Sequence, residues 1–268
     1  MSEPVAGQPS AGKGSGPTAN TVILIVGLSL VAVATIVGLL FALNFRGGPV
    51  DQAEDLAAGR SVSVEIPNAA LILGASDDDD VHVTMRGTYL GAAPTLEAST
   101  SGGVTTISGG CPRQWFNFCQ LEVTVTLPAS LPLTAAGENG AITASGLTGE
   151  LSLHTTNGRI EATGTESRID LRSTNGAIRV REATSAEVSA GTTNGSVDLG
   201  FLEPPDEVVA RSTNGSVTVR VPVRGVRYSI TARTTNGSTN TNSVPGDRDS
   251  EHTIVAETTN GSVSVIPN

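Results

Sequence analysis

The sequence predicts an all-β protein, a single-stranded β-solenoid (β-helix) preceded by one transmembrane α-helix. Three observations carry that expectation. The dipeptide Asn-Gly recurs seven times after residue 138 at spacings of 18 to 24 residues, and a period near 20 is the mark of stacked units. Apolar residues alternate with polar ones on both sides of each Asn-Gly, the period of a strand with one buried face. Near the N-terminus, Val22 to Leu43 is a 22-residue run without a charge, broken only by Ser29 and Thr35. At the helical rise it covers roughly 33 Å, enough to cross a bilayer core.

The repeats set their own register. The corners are Asn139-Gly140, Asn157-Gly158, Asn175-Gly176, Asn194-Gly195, Asn214-Gly215, Asn236-Gly237 and Asn260-Gly261. Around Asn157 the apolar positions are Leu151, Leu153, Ile160 and Ala162, and the same columns recur from Leu133 to Val265. In the Asn236 unit, Thr239 and Thr241 stand in two of them. Gly and then Asn are the residues most tolerant of positive φ, so the corner is expected to use that conformation. The two positions before each Asn are Thr or Ser in six units. Because they are adjacent, one of each pair must point inward.

Asn-Gly between alternating strands is also a strong hairpin signal, so an antiparallel β-meander or sandwich is the alternative. Length variation favours the solenoid. The twelve positions around each Asn keep their columns while all growth falls between them, as when extra residues bulge at one corner of a stack.

The remaining chain divides by composition. Residues 1–20, rich in Gly, Pro and Ser, read as a disordered cytoplasmic tail. Residues 21–45 are the membrane span, 46–60 a linker and 61–268 the solenoid, with regular repeats over 133–268. Residues 61–134 read as the same construction with less regular coils, with strands expected at 61–66, 70–73, 81–86, 103–108 and 121–127. The apolar run exceeds the usual length of a cleaved signal's core, and Asn44-Phe45-Arg46 follows it, so an uncleaved anchor is expected. Basic residues flanking the span are nearly balanced. Orientation therefore rests on Cys111 and Cys119, the only two cysteines. A pair eight positions apart reads as a disulfide of an oxidising compartment. The expected location is the cell membrane, single-pass, with a cytoplasmic N-terminus and an extracytoplasmic body.

Val81-His82-Val83-Thr84 after an Asp-rich turn, the Cys pair, Val123-Thr124-Val125-Thr126-Leu127-Pro128 and the recurring Thr-Asn-Gly-Ser-Val resemble the bacterial putative-adhesin domain family. The resemblance covers roughly residues 61–268. It implies a membrane-anchored β-helix used for contact, and brings no catalytic residues with it.

Composition excludes much chemistry. Sixteen basic against 26 acidic residues argue against nucleic acid as a partner. The three histidines, His82, His154 and His252, are scattered, so no metal or cofactor is expected. Asp77 to Asp80 lacks the alternation of a calcium loop and reads as a solvated turn. Glycan-cleaving solenoids gather carboxylates on one strand face, whereas these polar columns are mainly Thr, Ser and Arg, so no enzyme is expected.

Two binding candidates remain. Trp115, Phe116 and Phe118 lie between the cysteines, either as rigid anchors for a partner or as rings sealing one end of the core. Arg172, Arg211 and Arg233 occupy one polar column three positions before the corner. Stacking in chain order would make Arg211 and Arg233 neighbours that repel unless an anion bridges them, and Glu161, Asp170 and Asp198 are the candidate neutralisers. The expected partners are the bilayer through residues 21–45 and either an envelope polysaccharide or another membrane protein. In the second case the body would sense or scaffold for a signalling partner. The last coil ends at Asn268 without a polar capping element, so either Pro267 blunts an open end or that end docks on another molecule, as in an end-to-end homotypic contact.

Overall fold

The computed structural model describes residues 19–44, 47–112 and 118–268. Two compact units result, one ending at Arg46 and the other spanning Gly47–Asn268. The first contributes the helix Ala19–Asn44. Within it, Val22–Leu40 has mean hydropathy 2.8, long and apolar enough to cross a membrane.

The second unit is a β-solenoid of two long sheets. One sheet, of 10 strands, holds the strand before each corner; the other, of 11, holds the strand after it. All repeat strands pair in parallel, and in register except for one shift between Val180 and Ala183. Leu151, Leu153 and Thr155 face Leu133, Ala135 and Gly137 on one side and Ile169, Leu171 and Ser173 on the other. Parallel in-register pairing requires the chain to return to the same edge after every turn, which a meander cannot do. The inward columns form one continuous core from Val50 to Val265.

The coils do not stack in chain order at either end. Named by their corners, the order is Cys111–Cys119, Asn68, Asn139, Asn157, Asn175, Asn194, Asn214, Asn260, Asn236. Strands 207–214 and 229–236 both pair with 253–260, which lies between them. The terminal coil is therefore clamped inside the stack, and the Asn236 coil forms the edge. This corrects the expectation that the segment ending at Asn268 presents an open end. Asn268 itself is tied back through its backbone N–H to the Val221 carbonyl, and its side chain donates to the Phe201 carbonyl. At the true edge Tyr228 and Val244 join the core, and the Tyr228 hydroxyl donates to the Pro222 carbonyl at 2.7 Å.

The other end departs further from the repeat. Residues 47–57, read from sequence as part of a linker, are a strand antiparallel to 80–90. Strand 80–90 is itself antiparallel to 118–127, and 95–101 is antiparallel to 104–110. Residues 61–134 thus supply two true coils and an antiparallel cap, not an irregular run of coils.

Candidate functional site: the outer face of the pre-corner sheet

The corners place this face. Each corner Gly lies against the corner carbonyl of the next coil: a Cβ built on Gly158 would collide with the Gly140 carbonyl, and one on Gly176 with that of Gly158. Close approach, not positive φ, is what demands glycine there. No corner Asn has positive φ, and the only corner glycines that do, Gly215 and Gly261, sit at 159° and 151°, near the extended region. The expectation of a left-handed corner is corrected accordingly.

Asparagine serves a different end. Its side chains form a ladder in which each amide nitrogen donates to the next Oδ1. Asn157 donates to Asn139, Asn194 to Asn175, Asn260 to Asn214 and Asn236 to Asn260, all within 2.8 Å. The ladder ends on Asn68, which accepts from Asn139. Two positions before every corner Asn but Asn139, the inward hydroxyl donates to a corner carbonyl of the adjacent coil. Thr192 reaches Gly176 at 2.9 Å, and Thr258 reaches Gly215 at 2.8 Å. These bonds satisfy buried carbonyls that would otherwise cost free energy.

The second residue of each doublet faces out, giving the row Thr156, Thr174, Thr193, Thr213, Thr259, Thr235 in spatial order. Beside it runs the column His154, Arg172, Gly191, Arg211, Glu257, Arg233. Gly191 breaks that column, and a Cβ there would meet nothing within 4 Å. The gap opens into a solvent-facing groove of about 1070 Å³ whose lining includes Arg172, Thr193, Arg211 and Glu257.

The arginine column is not self-repelling. Glu257 stands between Arg211 and Arg233, 3.1 Å from the first and 3.6 Å from the second. Arg172 forms a two-point pair with Asp170 at 3.2 and 3.0 Å. The other expected neutralisers lie on the opposite sheet, where Glu161 pairs with Arg181 at 2.8 Å and Asp198 pairs with Arg220. Such exposed pairs contribute little to stability, but they set the charge pattern a ligand would meet. Each arginine keeps N–H donors beyond those its carboxylate uses.

Of the aromatic candidates, Trp115 and Phe116 lie outside the described residues. Phe118 is 70% exposed and does not seal the core. Cys111 and Cys119 are disulfide-bonded, with Cα atoms 6.2 Å apart. The disulfide joins strands 104–110 and 118–127 in a coil four steps from the Asn175 coil, roughly 19 Å at sheet spacing. Phe118 therefore does not share a site with Arg172, Arg211 and Arg233. Sequence reasoning missed Glu257 as the bridging group because it stacked the coils in chain order, which puts Arg233 next to Arg211. Gly191 was visible as the one residue of its column without a side chain.

At the antiparallel end, His82 bridges two carboxylates. Nδ1 lies 2.7 Å from Asp55, and Nε2 lies 3.0 Å from Asp78. Hydrogen bonds to Asp55, then Asp78, hold the imidazole pKa above its usual value. The bond from His82, then the backbone N–H of Asp80, hold Asp78 below the ordinary carboxylate value. Among the described residues no group of three His, Cys, Asp or Glu is arranged to hold a metal ion.

The repeat grammar and its geometry meet one family profile, that of Toastrack DUF4097, which matches residues 132–266. The chain belongs to the Toastrack DUF4097 family. Solved structures similar to this Toastrack chain include a "putative cell adhesion protein" from Clostridium sporogenes, 13% identical, covering 82% of this chain and all of its own, TM-score 0.39. Another is a "putative lipid binding protein" from Parabacteroides distasonis, 11% identical over 83% of this chain and 98% of its own, TM-score 0.41. A third is a "putative adhesin" from Parabacteroides merdae, 9% identical over 81% and 96%, TM-score 0.41. No curated protein matches the sequence.

Proposed function

We propose that this is a membrane-anchored, extracytoplasmic, non-catalytic binding protein, adhesin-like in that it holds an envelope polysaccharide along the outer face of its pre-corner sheet. The groove over Gly191 carries the reading. It is open, lined by threonine hydroxyls at regular spacing, and flanked by Arg172 and Arg211. That combination suits a hydroxyl-rich, partly anionic chain lying along the stack, with the arginines engaging its acidic groups. The apolar helix supports anchoring, and the disulfide supports an oxidising compartment.

The test uses the full chain in detergent micelles with polygalacturonate as the anionic probe and dextran as the neutral one. Binding to polygalacturonate is expected to weaken with salt, and Gly191→Leu is expected to weaken it at least tenfold with unchanged melting. Absence of binding to either polymer, or a Gly191→Leu variant that binds as the wild type does, would overturn the reading.

A further inference from the structure

The antiparallel cap has a direction. On its outer face the three strands 47–57, 80–90 and 118–127 lie side by side, so residues can be read across them in rows. The first row is Gly47, Leu90 and Phe118, and the second is Pro49, Thr88 and Gln120. The third is Asp51, Arg86 and Glu122. Farther along come Asp55 and His82, followed by the Asp77–Asp80 turn. The first two rows carry no charge, and the first exposes Leu90 at 40% and Phe118 at 70%. Acidic groups begin in the third row and accumulate toward the far end. From Gly47 to Asp55 is roughly 27 Å at the strand rise.

The covalent chain says what meets the apolar row. The helix ends at Asn44 and the cap strand begins at Gly47. Three Cα steps separate them, a tether of at most about 11 Å. Whatever surrounds the end of that helix is therefore within reach of Gly47 and of the two side chains in its row.

We propose that the Gly47–Leu90–Phe118 row is a bilayer contact, with Leu90 and Phe118 seated in the headgroup region. Aromatic and aliphatic side chains partition there. The acidic far end, roughly 27 Å along the strands from that row, would stand clear of the headgroups. The disulfide at Cys119, next to Phe118, fixes this row relative to the solenoid, so the contact would orient the whole stack on the membrane. The inference rests on the anchor reading above, extending it from the helix to the body.

The experiment uses the full chain in vesicles of three parts phosphatidylcholine to one part phosphatidylglycerol. Single tryptophans are placed at Leu90→Trp and, as a control two rows beyond the second, at Ala53→Trp, each with Trp115→Phe. Lipids brominated near the headgroup are expected to quench the tryptophan at position 90 at least twofold and the one at position 53 hardly at all. Retention of the chain after alkaline extraction, with position 90 quenched no more than position 53, overturns this inference alone. Loss of the chain on extraction overturns the anchor reading and this contact together.

Discussion

The middle of the solenoid and its two ends solve the same problem by different means. From the Asn139 coil to the Asn214 coil, chain order and spatial order coincide, and every coil is clasped on both faces. Each contributes the same inward apolar columns and one amide to the ladder, and all but the Asn139 coil, which has Gly137 at that position, give one hydroxyl to a neighbour's corner. The ends cannot do this, because a coil with one neighbour leaves its core and backbone open. The C-terminal end solves it by intercalation: the last coil slips between two others and the less apolar Asn236 coil takes the edge. The N-terminal end turns the sheets antiparallel and closes with the strands 47–57 and 95–101. Regular repeats generate length; irregular ends terminate it.

The sharpest contrast should come from the corner glycines. Gly176→Ala drives a Cβ into the Gly158 carbonyl within a coil held on both sides, and a loss of about 3 kcal/mol is expected by denaturant titration. The equivalent change at Gly237, in an edge coil free to shift, should cost about 1 kcal/mol. Equal losses would mean that the edge is as rigid as the middle.

Removing one inward hydroxyl comes next. Thr192→Val deletes the donor to the Gly176 carbonyl at nearly constant volume, with an expected cost of about 1–2 kcal/mol. The ladder gives a smaller effect that again depends on position. Asn260 bonds on both sides and Asn236 on one. Asn260→Ala should therefore destabilise by about 1 kcal/mol and Asn236→Ala by about half that.

At the antiparallel end the effect should be pH-dependent. The His82 pKa is raised above 6.5, so its contribution is complete below that value and is lost as pH rises through the raised one. The Asp78 pKa is lowered below 3.8, so its contribution is complete above that value and is lost as pH falls through the lowered one. The bridge therefore spans the interval between them. Amides of strand 47–57 should exchange faster at pH 8.5 than at pH 6, after correction for intrinsic rates, and His82→Gln should remove the difference. No pH dependence in the wild type would show that the bridge does not hold this edge.

The smallest effect tests an exception to the repeat. Gly146 and Gly164 turn with φ of 66° and 63°, and the matching residue of the next coil is Glu182 at 54°. Glu182→Gly should stabilise by up to about 1 kcal/mol, as relief of the left-handed penalty outweighs the added freedom of the unfolded chain. A loss of stability would mean that the Glu side chain contributes more than its backbone costs.

What could be read from residues follows the same division. The columns around each Asn established strand parity, the inward hydroxyls and the solenoid, because period-2 patterning reports burial directly. Coil order was partly legible. Thr239 and Thr241 stand where other units place Val, Leu, Ile or Ala, and Thr239 is exposed at the edge. Polar residues in core columns are what an end coil tolerates, yet chain proximity suggested the last coil instead. Strand 47–57 was obscured because Asp51, Glu54 and Asp55 give it the composition of a linker, and pairing through backbone groups leaves no apolar alternation at an exposed edge. The groove was legible only in part, since Gly191 marks it but its wall at Glu257 comes from a coil distant in sequence.

The order of the coils is tested most directly by disulfide trapping between outward positions on adjoining strands. Val209 lies opposite Val255, and Thr231 lies on the far side of Val255. In-register neighbours at about 4.8 Å can be bridged, whereas strands two steps apart cannot. Val209→Cys with Val255→Cys should form a bond under mild oxidation, and Val209→Cys with Thr231→Cys should not. The reverse result would place the coils in chain order and contradict the intercalated end.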